Sequence, residues 1–351
     1  MNILLLPLPF ALAGRAAGWP PGLTFVLALL PLCSLAERLG MITEQLAMYT
    51  NDSVGGLLNA TFGNATEVII AAFAISKGYL RVVKLTLLGS IVSNLLLVLG
   101  SAFIAGGVLH PMQHFNAKGI NVNCGLLILG VVAVTLPTLL SSTSNNPSDS
   151  GPEVALSRFE SILMLVGYAT FLLFQLIEEE EDEEEECVLS LWGALVWLAG
   201  VTVLISFLSD AVMDSITAAS TQLKVPLPFL TTIVVPIVGN AAEHASALIF
   251  AVKDRMEVAL GVAVGSSTQV AVLIVPFCVI LAWAMGQPLD MNFNEFEAAV
   301  LFISVLLAVV VLQDGSSNYL KGLMLVITYF FVAAGFWLHK DPELKEAIDA
   351  P

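Results

Sequence analysis

Long apolar stretches separated by short polar segments recur along most of the chain. These stretches are too long for strands and show no period-two alternation, so the pattern predicts α-helices and not a β-barrel. About 20 apolar residues suffice for a helix to cross a bilayer. Hydrophobic residues make up 57% of the sequence and charged residues 12%, which is unlike a soluble domain. We therefore expect an all-α polytopic membrane protein.

The pattern predicts a short first helix within residues 3–17 and ten further helices. The first segment lacks the basic residues that begin a signal peptide, so we favour a membrane helix there over a cleaved leader. The first five of the ten are predicted at about 23–48, 57–76, 85–109, 119–140 and 159–177, and the second five at about 188–223, 229–252, 256–285, 295–312 and 319–338. Residues 77–84 are predicted to form a basic connection and residues 141–157 a polar loop.

This reading gives about 11 transmembrane helices in two five-helix units. The predicted segments are a short N-terminal helix and turn (1–22), a first repeat (23–177), an acidic linker helix (178–187), a second repeat (188–340) and a polar tail (341–351).

An internal duplication relates the two units. The motif GNATE at residues 63–67 returns as GNAAE at residues 239–243, 176 positions later. In the same register, nine of the 32 positions from Gly63 to Asn94 are identical to their counterparts. Because each unit has an odd number of helices, the second inserts with the opposite orientation. The sequence thus predicts an inverted repeat with the two motifs facing each other near the bilayer midplane.

The motifs carry the candidate ion ligands. A carboxylate within an apolar span is costly and indicates a functional site. Asn64 and Glu67, like Asn240 and Glu243, stand at i and i+3 on one helix face. Together they offer carboxylate and amide oxygens, which suit Ca²⁺ better than Mg²⁺, an ion that retains its waters. The four scattered cysteines give no soft-metal site and no disulfide framework.

Other polar residues near the motifs are candidates for supporting roles. His244 directly follows Glu243, and it either relays protons or is a packing histidine. Candidates for further oxygen ligands, or alternatively for simple helix packing, are Ser90, Ser266, Asn94 and Gln269. The two serines each follow a glycine and are predicted to open kinked helices. Candidates for the ion entrances, or alternatively solvated acids at helix ends, are Glu37, Glu44, Asp210 and Asp214.

Charge is concentrated in one run. The net charge is −16, but residues 178–186 supply nine acids, which leaves twenty acids against thirteen bases. The run is interpreted as a solvated linker, with a cation-attracting or regulatory element as the alternative. Nothing in this balance favours nucleic acid. The positive-inside rule gives only a modest preference, so the membrane orientation stays open.

The motifs resemble those of the Ca²⁺/H⁺ exchanger (CAX) family of the cation/Ca²⁺ exchanger superfamily. The resemblance rests on LLNATFGNATE (57–67), GSIVSNLLLVLG (89–100), PIVGNAAEH (236–244), GVAVGSSTQVA (261–271) and the acidic run between the halves. It implies eleven helices, alternating access by sliding of helices two and seven against a core, and ion-binding roles for Glu67, Glu243, Asn64 and Asn240. The Na⁺/Ca²⁺ branch typically has proline before the acid, where this chain has Thr66 and Ala242.

We therefore expect a secondary active transporter, not an enzyme, with Ca²⁺ and H⁺ as its substrates and no cofactor. The lipid bilayer is the other expected partner, and a homo-oligomer is allowed. Alternatives are a Na⁺-coupled exchanger, a cation channel and, for a different chemistry, an intramembrane hydrolase, for which no HExxH motif is present. The expected location is the plasma or inner membrane of a microbe or an acidic organelle such as the vacuole.

Overall fold

The computed structural model describes residues 2–50, 58, 62–143, 151–178, 190–339 and 341. This part contains eight helices that are long and apolar enough to cross a membrane, and a bent helix pair that forms a ninth span. Residues 3–14 and 65–76 form shorter apolar helices. The all-α polytopic class is thus confirmed. The count of eleven stays a prediction, because residues 51–57 and 59–61 lie outside the described part.

The helices of the first half follow a 3₁₀ turn at Asn2–Leu5. They are α1 (Leu8–Ala16), α2 (Pro21–Ala47), α3 (Ala65–Ser76), α4 (Leu80–Leu109), α5 (Ala117–Thr143) and α6 (Gly151–Glu178).

The second half repeats the order of α2–α6 and has one more described helix, Leu227–Gly239, whose counterpart positions, 51–63, lie mostly outside the described residues. Its helices are α7 (Leu191–Leu223), α8 (Leu227–Gly239), α9 (Ala241–Val252), α10 (Met256–Ala284), α11 (Glu295–Leu312) and α12 (Tyr319–Leu338). Helices α8 and α9 are the bent pair, with 56° between them. Two short strands, β1 (Gln113–His114) and β2 (Ser316–Ser317), pair antiparallel.

The predicted loop boundaries were wrong at two helix starts. Helix α4 begins at Leu80, so Arg81 and Lys84 belong to its first turns, and α6 begins at Gly151 and not near residue 159. Polar residues in these turns bond to other helices, which a one-dimensional hydropathy pattern cannot show. Nearly all of the predicted acidic linker, after Glu178, lies outside the described residues, as do residues 342–351 of the tail.

Irregular helical segments recur at equivalent positions of the two repeats. Helix α4 contains a π-helical turn at Ser93–Val98, and α10 contains one at Val270–Ile274. The two turns start within one residue of each other in the 176-residue register. Both motif helices are also preceded by a break, at Asn64 and at Asn240. π-helical turns weaken the regular helix hydrogen bonding and are frequent at functional sites.

The two ends of the helix bundle are called here face A and face B. At face A, α2 begins and α7 ends, and the main-chain nitrogen of Gly22 donates to Gln222 at 2.8 Å. At face B, β1 and β2 meet, and Gln113 donates to the carbonyl of Ala251 at 3.0 Å. Helix α3 runs from the middle of the bundle to face A, and α9 runs from the middle to face B, as an inverted repeat requires.

Candidate functional site

The two motifs place their polar side chains at the centre of the bundle. Asn64 and Asn240 immediately precede α3 and α9, but neither side chain caps its own helix. Both side chains are therefore directed to other partners. Glu67 and Glu243 lie in the first turns of these helices, where the positive end of the helix dipole favours an ionised carboxylate.

Each motif asparagine bonds to a helix of the opposite repeat. Asn64 donates from Nδ2 to Oε1 of Gln269 at 2.7 Å. Asn240 accepts a hydrogen bond from the Ser90 hydroxyl at 2.9 Å and donates to the Ser90 carbonyl at 3.1 Å. The two repeats are therefore joined across the centre of the bundle, by the hydrogen bond of Asn64 to Gln269 and by the two hydrogen bonds between Asn240 and Ser90.

A cavity of about 290 Å³ leads from the centre toward face B. It is lined by Gly40, Glu44, Gly63, Asn64, Ala242, Glu243, Ser246, Val258, Gly261, Val262, Ser266 and Gln269. Glu44 is near the end of α2 and Val258 near the start of α10, which places the mouth at face B. The Oε2 atom of Glu243 is buried and has no hydrogen-bond partner in the described part of the chain. Glu243 thus lines the cavity and keeps one buried carboxylate oxygen unsatisfied.

Glu67 lies beside a second, much smaller cavity. This space measures about 10 Å³, roughly enough for one water. It is lined by Glu67, Ile70, Thr86, Leu87, Ser90, Val235, Pro236 and Gly239. A β-carbon on Gly239 would stand 3.1 Å from Oε1 of Glu67. The first glutamate is therefore enclosed by α4 and α8, while the second is reached from face B.

The supporting candidates divide between these spaces. Ser266 and Gln269 line the large cavity and Ser90 lines the small one. The prediction that Ser90 and Ser266 open helices was wrong, since both lie inside α4 and α10, ahead of the π turns. Asn94 is fully buried, and its amide atoms have no partner among the described residues. It is absent from the lining of both cavities, so a ligand role for Asn94 has no geometric support in this state.

His244 faces away from the large cavity. Its Nε2 atom lies 2.8 Å from the hydroxyl of Ser101 on α4. This contact corresponds to the packing alternative considered for His244, and a role in proton transfer stays a prediction. Sequence reasoning did not single out Ser101, because an isolated serine in an apolar helix carries no distinctive signal.

The outer acids have different surroundings. Glu44 lines the cavity mouth, and Glu37 is a partly buried residue of α2. Asp210 accepts a hydrogen bond from Lys77 at 2.6 Å, and Lys77 also pairs with Asp214. Partial burial would lower the pKa of Lys77, but the two carboxylates outweigh burial and raise it above its ordinary value. The aspartates are thus held in an ion pair.

Two more ion-pair groups join the halves at face A, and the sequence did not predict them. Arg81 donates to Asp341 at 2.6 Å and pairs with the buried Glu297. Lys84 pairs with Asp290 and donates to the carbonyl of Asn292 at 2.9 Å. Together with the Lys77 pair, these contacts tie α3 and α4 to the second repeat.

Glu297 and Asp341 also lie with His339 at metal-binding distances. Arg81 already pairs with both carboxylates, so this group is better described as an ion-pair cluster. The donors at the centre of the bundle are instead uncharged amide and hydroxyl oxygens beside two carboxylates. Such an all-oxygen set suits a hard cation with flexible coordination, such as Ca²⁺.

Comparison with known proteins agrees with the site. The sodium/calcium exchanger protein family matches residues 21–177 and 193–338. Vacuolar cation/proton exchanger 3 of Oryza sativa subsp. japonica is 49% identical, over 93% of this chain and 82% of that protein.

Solved structures agree as well. Native YfkE superimposes with a TM-score of 0.85 at 34% identity, covering 96% of this chain and 99% of that one. Its selenium-substituted form, described as a Ca²⁺/H⁺ antiporter protein, gives 0.83 at 32% identity, covering 96% and 98%. The chain is therefore a member of the sodium/calcium exchanger protein family, in its cation/proton exchanger (CAX) branch.

Proposed function

We propose that this protein is a secondary active antiporter that exchanges Ca²⁺ for H⁺ across a membrane, with both ions competing for Glu67 and Glu243. The observation that carries this proposal is the buried, unpartnered oxygen of Glu243 at the wall of a cavity open to face B. The relatives' names, cation/proton exchanger and Ca²⁺/H⁺ antiporter, support the same conclusion.

Competition at one site is sufficient for exchange. Burial favours the protonated carboxyl when no cation is near, and two carboxylates close together favour it further. A divalent cation reverses this preference and displaces the protons. A bare, doubly charged site is costly to enclose, so only the loaded or protonated protein changes state. Ca²⁺ moving one way is thereby coupled to H⁺ moving the other way.

The one-sided cavity supports alternating access. Glu243 and Asn64 are reached from face B, while Glu67 is enclosed on the side of face A. A channel needs a path open to both faces at once, and the small cavity beside Glu67 has no such width. The two cavities therefore favour an exchanger over a channel.

A Na⁺-coupled exchanger of the same superfamily is the second candidate. Thr66 and Ala242 occupy the positions before the two acids, where that branch typically has proline. The proton-coupled branch is therefore favoured.

Vesicles that contain only the purified protein distinguish these candidates. In the absence of Na⁺, a pH gradient that is acid inside should drive Ca²⁺ uptake. The pH gradient should decrease as Ca²⁺ enters, because protons leave in exchange. Uptake that requires a Na⁺ gradient and ignores the pH gradient would contradict proton coupling. Uptake that continues after the pH gradient is collapsed, driven by the Ca²⁺ gradient alone and without proton movement, would instead indicate a channel.

We place the protein in a vacuole-like acidic membrane, because an acid interior supplies the protons for Ca²⁺ accumulation and the relatives are described as vacuolar. Fluorescent tagging of the whole chain tests the location, and light scattering of the detergent-solubilised protein tests whether it is an oligomer.

A further inference from the structure

The ammonium group of Lys77 joins the end of α3 to the middle of α7. It donates to Oδ1 of Asp210 at 2.6 Å and also bonds Asp214. The side chains of Lys77 and Asp210 are each 22% exposed, and that of Asp214 is 41% exposed. Because these groups still contact water, the ion pair is weak enough to be broken and reformed.

The repeat predicts an equivalent lysine at face B. Lys253 follows α9 in the same way that Lys77 follows α3, 176 residues earlier. Its side chain is exposed and makes no ion pair with any residue that the structure describes. The repeat counterpart of Asp210 is Glu37 of α2, since Leu35-Ala36-Glu37 matches Leu208-Ser209-Asp210. Glu37 likewise makes no ion pair in the described part of the chain.

Tight helix packing accompanies the Lys77 ion pair in the half toward face A. A β-carbon on Gly89 of α4 would lie only 2.1 Å from the carbonyl oxygen of Thr232, so α4 and α8 are in close contact. At Gly265, the counterpart in α10, a β-carbon would meet none of the described residues within 4 Å, and positions 56 and 60, which correspond to Thr232 and Pro236, lie outside the described part. The half of the protein toward face A is thus closed by tight helix packing and by Lys77. The half toward face B contains the large cavity, and its Lys253 makes no ion pair with a described residue.

We propose that Lys77 and Lys253 form alternating ion-pair latches: Lys77 holds α7 through Asp210 and Asp214 while face A is closed, and Lys253 holds α2 through Glu37 when face B closes. The proposal rests on the transport function and assigns its gating contacts. Alternating access in the proposed exchanger moves α2 and α7 relative to the motif helices, so each latch forms only when the other is broken.

The first test measures which face is open and does not require transport. A cysteine replacing Ser246, which lines the cavity, is introduced into a variant lacking Cys33, Cys124, Cys187 and Cys278. Its labelling by an impermeant thiol reagent from face B reports the open state. We expect Lys77→Gln to slow labelling and Lys253→Gln to speed it, by about two- to fivefold each. Lys321→Gln, which breaks an ion pair with Asp314 at the same face, serves as the control and should leave labelling unchanged. Shifts in the same direction, or no shift, would overturn the proposal.

The second test uses residues that do not touch in this state. Glu37→Lys and Lys253→Glu should each slow exchange, and the double variant that swaps the charges should restore it. Because neither side chain has an ion-pair partner in the part of the chain that the structure describes, loss of folding does not explain a defect that the swap repairs. If the double variant is as slow as the two single ones, Glu37 and Lys253 do not form the second latch. The protein could show the expected labelling changes and yet transport ions other than Ca²⁺ and H⁺. That outcome would support the latches and contradict only the proposed substrates.

Discussion

The side-chain amide of Asn64 donates a 2.7 Å hydrogen bond to Gln269, whereas its repeat counterpart Asn240 bonds Ser90 one turn earlier in the equivalent helix. In this state, Gln269 therefore holds Asn64 at the wall of the cavity that also contains Glu243.

Removing this hydrogen bond should weaken Ca²⁺ binding more than turnover. For Gln269→Ala we expect the KM for Ca²⁺ to rise about two- to tenfold, the value of one lost hydrogen bond, with a smaller change in kcat. Thr328→Ala is the control, because that exposed hydroxyl bonds only within its own helix, to Met324. An unchanged KM in Gln269→Ala would show that Asn64 needs no such support.

The two motif glutamates should be individually essential. Glu67→Gln and Glu243→Gln keep the shape of the side chain but remove a charge and a titrating group, so each should abolish exchange while leaving the protein folded. Aspartate at either position shortens the reach and should impair transport less severely. Ca²⁺-induced proton release from the purified protein is the measurement.

Glu257→Gln supplies the control for these variants, since Glu257 is an exposed residue in the first turn of α10. If Glu67→Gln or Glu243→Gln accumulates Ca²⁺ at nearly the wild-type rate, the substituted residue is not part of a site shared by Ca²⁺ and H⁺.

A methyl group at position 239 should disturb Glu67 directly. In Gly239→Ala the new β-carbon would stand 3.1 Å from Oε1 of Glu67, so the carboxylate must move by a few tenths of an ångström. We expect Ca²⁺ affinity to fall about tenfold, because ligand geometry at the site is changed. Gly167→Ala, which meets nothing within 4 Å, should have no effect. Equal affinities in the two variants, measured by Ca²⁺ titration, would place Glu67 outside the ligand set.

The acidic run should modulate transport without being required for it. It lies between the repeats, and no part of either motif depends on it. Replacing residues 178–186 with a Gly/Ser/Gln linker of equal length should change initial rates, chiefly at low ionic strength, where electrostatic attraction of cations is strongest. Loss of all transport in a folded protein would contradict a modulating role.

The pH dependence of stability should contain a contribution from His339. Burial lowers the pKa of its imidazole, the charge of Asp341 opposes this shift, and that of Arg81 adds to it. The unfolded chain therefore takes up this proton at a higher pH than the folded protein. As the pH falls below about 6.5, the unfolded state is favoured increasingly until the folded pKa is reached.

We expect the wild type to lose more thermal stability than His339→Gln between about pH 7.5 and pH 5.5. The unfolding midpoint of each protein is measured in detergent at both pH values, and the change with pH is compared. The variant also loses the stacking of His339 on Phe296, but that loss is the same at both pH values and cancels in the comparison. Parallel curves for the two proteins would contradict the assignment.

Most of the helix pattern and both motifs were predictable from the sequence, because membrane helices need long apolar runs and a duplication leaves a constant spacing. The bounds of α11 and α12 agree with the prediction to the residue. Arg81 and Lys84 were misplaced in a loop because their charges are neutralised by acids more than 200 positions away. Pairings of this kind depend on how the repeats dock, which hydropathy does not report.

The structural difference between the two repeats also could not be predicted from the sequence. Glu67 and Glu243 have matched sequence contexts, yet one is enclosed and the other borders a wide cavity. A duplicated sequence specifies the set of available contacts, and the conformational state selects among them.

The pairing of β1 with β2 has a mechanical consequence. It fastens the connection between α4 and α5 to the connection between α11 and α12 at face B, with Gln113 opposite Ser317 and His114 opposite Ser316. Gln113 also bonds Ala251 and Asp254, so the end of α9 belongs to the same fastening. Helices α4 and α9, which carry Ser90 and Glu243, are thus clamped into one frame at the open end, and α4 cannot separate from the connection of α11 to α12 without breaking main-chain bonds. We therefore expect the opening and closing of face B to come from the long pair α2 and α7, which pack against each other outside this clamp.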